Sequence, residues 1–198
     1  MNYLVHAYLS FRKPSYLIGN FLGDFVKNRD LYKIPDEVVE GIMLHRSIDS
    51  FTDSHPLILE GTKRLHSKHR KYSGVLLDIY FDYLLASNWQ HQTALSLREF
   101  IDEAYQIYLG HEEIMPEGIR SRMKAMVADD WLWHYQYYQG LEKTFFYLGK
   151  RVSKPEWISG AVLTLKNEEP NLQQLFKDFF PELVSYTESL ILQNEARW

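Results

Sequence analysis

The segment Gly74-Val75-Leu76-Leu77-Asp78-Ile79-Tyr80-Phe81-Asp82-Tyr83-Leu84-Leu85 is apolar nearly all the way round a helix, yet it carries two carboxylates one turn apart. A helix with no polar face has to run through a core, so the remaining segments must wrap around it. Their pattern suits that task. Apolar residues recur at helical spacing throughout, and alternating apolar and polar runs bounded by turn residues are nearly absent. The expected fold class is therefore all-α, a compact irregular helical bundle. Helices are predicted over residues 2–10, 15–28, 36–52, 55–68, 71–88, 96–110, 117–132, 134–149, 156–166 and 170–194, the last with room for a break. Pro14-Ser15, Pro35-Asp36, Pro56 and Met115-Pro116-Glu117-Gly118 punctuate several of these boundaries. No linker, fixed-period repeat or low-complexity tract divides the chain, which predicts one domain over residues 1–198.

Composition narrows the chemistry. At 198 residues and 45% hydrophobic content the chain can bury one substantial core, much of it from the large rings that make up 15% of its residues. The absence of Cys excludes a disulfide framework, a thiolate zinc site and a Cys nucleophile, so any metal must be held by His, carboxylate or water. The start Met1-Asn2-Tyr3-Leu4-Val5-His6 lacks the features of a secretory signal, and no run approaches the ~20 apolar residues of a membrane span. A soluble cytoplasmic protein is expected. The formal net charge of -4 argues against a general nucleic-acid binder, which is usually basic.

In Gly41-Ile42-Met43-Leu44-His45-Arg46-Ser47-Ile48-Asp49-Ser50-Phe51-Thr52-Asp53, His45 and Asp49 are four apart and share a helix face, with Asp49 at nearly the azimuth of Ile42. One such pair is more often a hydrogen-bonded packing element than a site. Asp78 and Asp82 sharpen the question, because two ionised carboxylates on one turn of a buried helix need a cation, an Arg or a shared proton nearby. Asn20 and Asp24 are again four apart in apolar surroundings, and His6 lies in the apolar stretch from Tyr3 to Leu9. Together His6, Asp24, His45, Asp49, Asp78 and Asp82 offer imidazole and carboxylate ligands from four helices, which is how metal sites form inside bundles. Neither a Gly-x-Ser-x-Gly elbow nor a Gly-x-x-x-x-Gly-Lys phosphate loop occurs.

At these positions the chain resembles the acyl carrier protein phosphodiesterases, also called acyl carrier protein hydrolases, a family similar at a distance to HD-domain phosphohydrolases. The resemblance runs through Met1-Asn2-Tyr3-Leu4-Val5-His6, Gly19-Asn20-x-x-x-Asp24-Phe25, His45-Arg46-x-Ile48-Asp49-x-x-Thr52-Asp53, Leu77-Asp78-x-x-x-Asp82-x-x-Leu85 and Trp89. It is clear over residues 1–90 and thins beyond them to Trp131-Leu132 and Tyr135. Ser47 departs from the pattern, since a second Arg follows the His-Arg pair in other members, and this leaves Arg46 alone as a phosphate clamp. The resemblance implies removal of the 4′-phosphopantetheine arm from holo acyl carrier protein to give the apo protein. It also implies a divalent metal, usually manganese, with magnesium or another divalent ion as alternatives. Asp24, His45, Arg46, Asp49 and Asp78 would carry the catalysis, Asn20 and Asp53 would orient the ligands, and Arg46 would neutralise developing phosphoryl charge.

Lys63, Arg64, Lys68, Arg70 and Lys71 crowd into nine positions of an otherwise acidic chain. A solvated helix end explains such a cluster on its own, whereas the resemblance makes it a docking face for a strongly acidic carrier protein. The aromatic run Trp131-Leu132-Trp133-His134-Tyr135-Gln136-Tyr137-Tyr138 reads first as core and second as a cover for the pantetheine arm. Two other readings compete: an HD-like phosphohydrolase of a nucleotide or other small phosphoester, and a non-catalytic helical binding protein.

Overall fold

The computed structural model describes residues 2–196; Met1, which opens the first motif of the resemblance, and residues 197–198 lie outside the described residues. Among the described residues there is no strand, and the α-helices are joined by turns and short 3-10 segments. They are α1 (Tyr3–Tyr8), α2 (Pro14–Leu22), α3 (Asp36–Ser54), α4 (Pro56–His69), α5 (Ser73–Ser87), α6 (Leu97–Gly110), α7 (Glu117–Ala128), α8 (Trp131–His134), α9 (Tyr138–Gly149) and α10 (Ala161–Glu195). None of them is long and apolar enough to cross a membrane.

The all-round apolar segment is α5, and it does run through the core: α1, α4 and α10 pack on it, and Leu76, Tyr80, Phe81, Leu84 and Leu85 are fully buried. Each such side chain contributes roughly 1.5–3 kcal/mol by leaving water. Local chemistry sets several ends. Pro14 and Pro56 occupy first-turn positions where no amide donor is needed, and Ser96 with Glu99 forms a reciprocal capping box at α6.

α2 and α3 lie unusually close because small residues face one another: a methyl group on Gly19 would sit 2.4 Å from the Gly41 Cα. This backbone approach fixes the two helices that carry Asn20, His45 and Asp49.

Three departures from the sequence expectation change how the helices are laid out. The helix expected over 15–28 ends at Leu22, after which the chain turns and enters a 3-10 segment at Asn28–Lys33. The one expected over 117–132 stops at Ala128 because Asp130 adopts a left-handed conformation (φ 50°), which starts α8 on a new axis. Conversely, the helices expected over 156–166 and 170–194 are one, α10, which runs through Pro170 and Pro181. Both prolines are exposed, as are Lys166 and Lys177 four residues before them, so each carbonyl that loses its amide partner lies at a solvated face.

Candidate active site

A helix of six residues is too short to be stable by itself, so α1 has to be held from outside. Asp82 does this from α5: its Oδ2 accepts from the Leu4 amide at 3.0 Å and its Oδ1 from the Val5 amide at 2.9 Å. Burial pushes the Asp82 carboxyl up to about 7 against the opposing pull of those two amides. Asp82, expected among the metal ligands, therefore spends both oxygens on the start of α1.

The helix so fixed delivers His6. Asn20 Nδ2 donates to Ser10 Oγ at 2.9 Å, and Ser10 Oγ donates to the His6 carbonyl at 2.9 Å. The amide orientation of Asn20 is thereby set, its Oδ1 is an acceptor, and the His6 Nδ1 at 3.0 Å must carry the proton. His6 Nε2 is then left with a lone pair, and it lies 3.2 Å from Asp49 Oδ1 without a hydrogen bond of proper alignment. Burial, followed by the charge of His45, holds His6 down at about 4, so the ring is neutral at pH 7. A neutral nitrogen lone pair beside a carboxylate oxygen is repulsive unless a cation sits between them.

His45 stacks on His6 with ring centroids 4.0 Å apart, and its Nε2 lies 3.1 Å from Asp49 Oδ2 and 3.3 Å from Asp24 Oδ1. Burial works against protonation of His45, but Asp24 and Asp49 overcome it and raise the ring to about 9. The same contacts hold Asp24 and Asp49 below the ordinary carboxylate range. Ligand atoms of His6, His45 and Asp49 lie within 4.8 Å of one another, close enough to share one ion. A neutral imidazole with a correctly placed lone pair, a second imidazole and a carboxylate make a donor set that fits a divalent cation. Asn20, expected to orient a ligand, is placed to do so by fixing the His6 tautomer.

The cluster opens into a cavity of about 820 Å³. Asp24, Asp49, Asp53 and Asp78 line it from the turn after α2, from α3 and from α5, whereas Arg122, Lys143, Lys150 and Arg151 line it from α7, α9 and the chain after α9. Burial, reinforced by the charge of Asp49, raises the Asp78 carboxyl. Asp53 is exposed at the cavity rim.

Arg46 points elsewhere: its guanidinium donates to Asn28 Oδ1 at 2.5 Å and to the Val26 carbonyl at 2.8 Å, tying down the loop after α2. Trp131, His134 and Tyr135 of the aromatic run line the cavity, with Tyr135 buried and His134 exposed. The basic residues Lys63, Arg64, Lys68, Arg70 and Lys71 are all exposed. Arg64 is paired with Glu60, and Lys71 Nζ donates to Ser153 Oγ at 3.0 Å, beside the cavity-lining Val152.

Sequence reasoning missed Arg122, Tyr3 and Gly23. Arg122 sits on a helix that buries only Met123 and Met126, a pattern that marks its other side chains as surface. Gly23 admits the His45 ring, since a Cβ there would lie 2.2 Å from the His45 Cγ.

Comparison with known proteins identifies the family. The family model described as acyl carrier protein phosphodiesterase matches residues 1–183. A Yersinia pestis protein named acyl carrier protein phosphodiesterase is 29% identical over 185 residues, covering 93% of this chain and 96% of that protein. A Photorhabdus laumondii protein of the same name is 27% identical over 190 residues, covering 96% of each. No solved structure matches the chain, so the distant likeness to HD-domain phosphohydrolases rests on the sequence resemblance alone. With the match running through the helices that carry both faces of the cavity, the chain belongs to the acyl carrier protein phosphodiesterase family.

Proposed function

We propose that this protein is a metal-dependent phosphodiester hydrolase of the cytoplasm that removes the 4′-phosphopantetheine arm from holo acyl carrier protein. The observation that carries the metal requirement is the contact between the His6 Nε2 lone pair and Asp49 Oδ1 at 3.2 Å. His6, His45 and Asp49 would hold the ion, manganese in the first instance, with Asp24 beside His45 and Asp78 on the same acidic side of the cavity as further oxygen donors. When bound, a divalent ion supplies Lewis acidity toward a phosphoryl oxygen and lowers the pKa of a water.

The protein's own groups do the rest. Asn20 keeps the His6 proton on Nδ1 and so keeps Nε2 available. Asp78, whose carboxyl is raised by burial and by the charge of Asp49, is suited to take a proton from the attacking water. The cavity accommodates an extended arm between Tyr135, Trp131 and the α9 side chains, and the leaving group is the serine oxygen of the carrier protein. The basic stretch ends at Lys71, four residues before the cavity-lining Val75 and bonded to Ser153, which supports reading it as an electrostatic docking face for the acidic carrier protein.

Incubating the protein and manganese with holo acyl carrier protein should remove the mass of the arm, and chelation should stop it. Cleavage of small phosphoesters alone would favour the phosphohydrolase reading, and inertness toward both with retained metal would favour a binding protein.

A further inference from the structure

The proposed ion answers the acidic side of the cavity and leaves its cations unexplained. Most arginines of the chain are spoken for: Arg12, Arg29, Arg64 and Arg98 pair with carboxylates, and Arg46, Arg120 and Arg151 donate to backbone carbonyls. Arg122 is different. It lines the cavity, its Nε donates to Tyr3 Oη at 2.8 Å, and among the described residues it pairs with no carboxylate. Its Cζ lies 5.6 Å from the Trp131 ring centroid and 5.7 Å from those of Tyr3 and Phe25. Three aromatic faces and one phenol oxygen thus hold the guanidinium in place, attractions that leave both terminal NH2 groups unspent.

We propose that Arg122 binds the scissile phosphodiester, its terminal N–H groups taking the two non-bridging oxygens, with Tyr3 as the residue that positions it. This inference rests on the phosphodiesterase reading. A phosphodiester monoanion entering a cavity lined by Asp24, Asp49, Asp53 and Asp78 needs fixed positive charge to stay there. A planar fork matches two phosphate oxygens in a way that an ammonium does not. Because the fork is already oriented, it loses little freedom on binding and can act on charge that grows in the transition state.

The test uses the manganese-loaded protein with holo acyl carrier protein and with bis(p-nitrophenyl) phosphate. Arg122→Ala should lower kcat/KM by about 10²–10³-fold on both substrates, the loss typical of one preorganised charge-stabilising donor. Added guanidinium ions should restore part of it, which repair of a merely structural defect would not explain. Arg122→Lys covers collapse of the aromatic cage; it keeps the charge and should still fall at least about tenfold, since bidentate geometry is lost. Wild-type kcat/KM in either variant overturns the assignment. Calorimetric titration with inorganic phosphate separates this inference from the reading beneath it. If the wild-type protein cleaves neither substrate, the phosphodiesterase reading fails. Weaker phosphate binding in Arg122→Ala would then still support an anion site at Arg122, and unchanged phosphate binding would overturn it.

Discussion

Gly23→Ala adds a single methyl group and should disable the site while leaving the fold intact. Gly23 has helical angles (φ -54°, ψ -40°), so the backbone there accepts alanine. The obstacle is His45: the new Cβ would lie 2.2 Å from its Cγ, 2.3 Å from its Cδ2 and 2.7 Å from its Cβ. Restoring ordinary carbon contact at ~3.5 Å requires the ring to retreat by about 1.3 Å. Because the His45 Cβ is itself too close, rotating the ring cannot suffice, and the helix bearing it cannot back away where Gly19 and Gly41 lock α2 onto α3.

A retreat of that size carries Nε2 out of reach of Asp49 and Asp24, now 3.1 and 3.3 Å away, and far exceeds the ~0.2 Å tolerance of metal–ligand distances. Overpacking costs about 1–3 kcal/mol and the smaller unfolded-state freedom of alanine returns up to about 1 kcal/mol, for a net loss of about 0–3 kcal/mol. At ~2–4 °C per kcal/mol for a chain of this size, Tm falls by no more than about 12 °C. Activity on holo acyl carrier protein should fall by about 100-fold or more. Thermal melts, manganese titration by calorimetry and mass analysis of the carrier protein measure the three effects. Gly74→Ala, where a Cβ meets nothing within 4 Å, is the control. A Gly23→Ala protein with wild-type manganese affinity and kcat/KM would refute the placement of His45 at the centre of the site.

Asp49→Ala and Asp78→Ala should each abolish turnover while melting remains cooperative, because each removes one of several crowded carboxylates; full activity with normal metal content would sink the assignment. Manganese affinity should rise with pH by up to about tenfold per unit from pH 6.5 toward 9, since the ion competes with the proton that His45 holds up to about 9, and a flat calorimetric profile would contradict this. The sign reverses for the metal-free protein: the stability that His45 contributes is complete below its unfolded pKa of about 6.5 and is lost as pH rises through 9, which denaturant melts at pH 6 and 9.5 can check. Charge reversal at Lys68, Arg70 and Lys71 should raise KM for holo acyl carrier protein and weaken its salt dependence without slowing a small phosphodiester, because exposed charges act over a screening length of ~8 Å; unaltered kinetics would remove the docking face.

The core helix and the His45–Asp49 pair were legible because both follow from helical period alone: α5 has no polar face, and residues four apart share one. The reach of Pro170 and Pro181 was not, since whether a proline ends a helix depends on whether the carbonyl it orphans meets water, a tertiary fact. Asp82 and Asp78 look alike in sequence, one turn apart in the same apolar run, but α1 packs against one of them and the cavity opens at the other. Arg122 was not legible for a related reason. Arg46 adjoins the best motif in the chain, whereas Arg122 earns its position from Tyr3, Phe25 and Trp131, residues brought together only by folding.

The two sides of the cavity meet in α1. Tyr3 and His6 are three positions apart, so they lie on neighbouring azimuths of the same helix, separated by about 4.5 Å along its axis. Tyr3 holds the Arg122 guanidinium, and His6 presents its lone pair to Asp49. The start of that helix is set by Asp82, which accepts from the amides of Leu4 and Val5, the two residues between them. A carboxylate buried in the core, its carboxyl pushed up to about 7 by that burial, therefore fixes in one stroke the spacing between the cation proposed to bind phosphate and the imidazole proposed to bind the metal. Any shift of α1 along its axis would displace both groups together, so the proposed reaction geometry depends on a residue whose two oxygens are bonded to the α1 backbone.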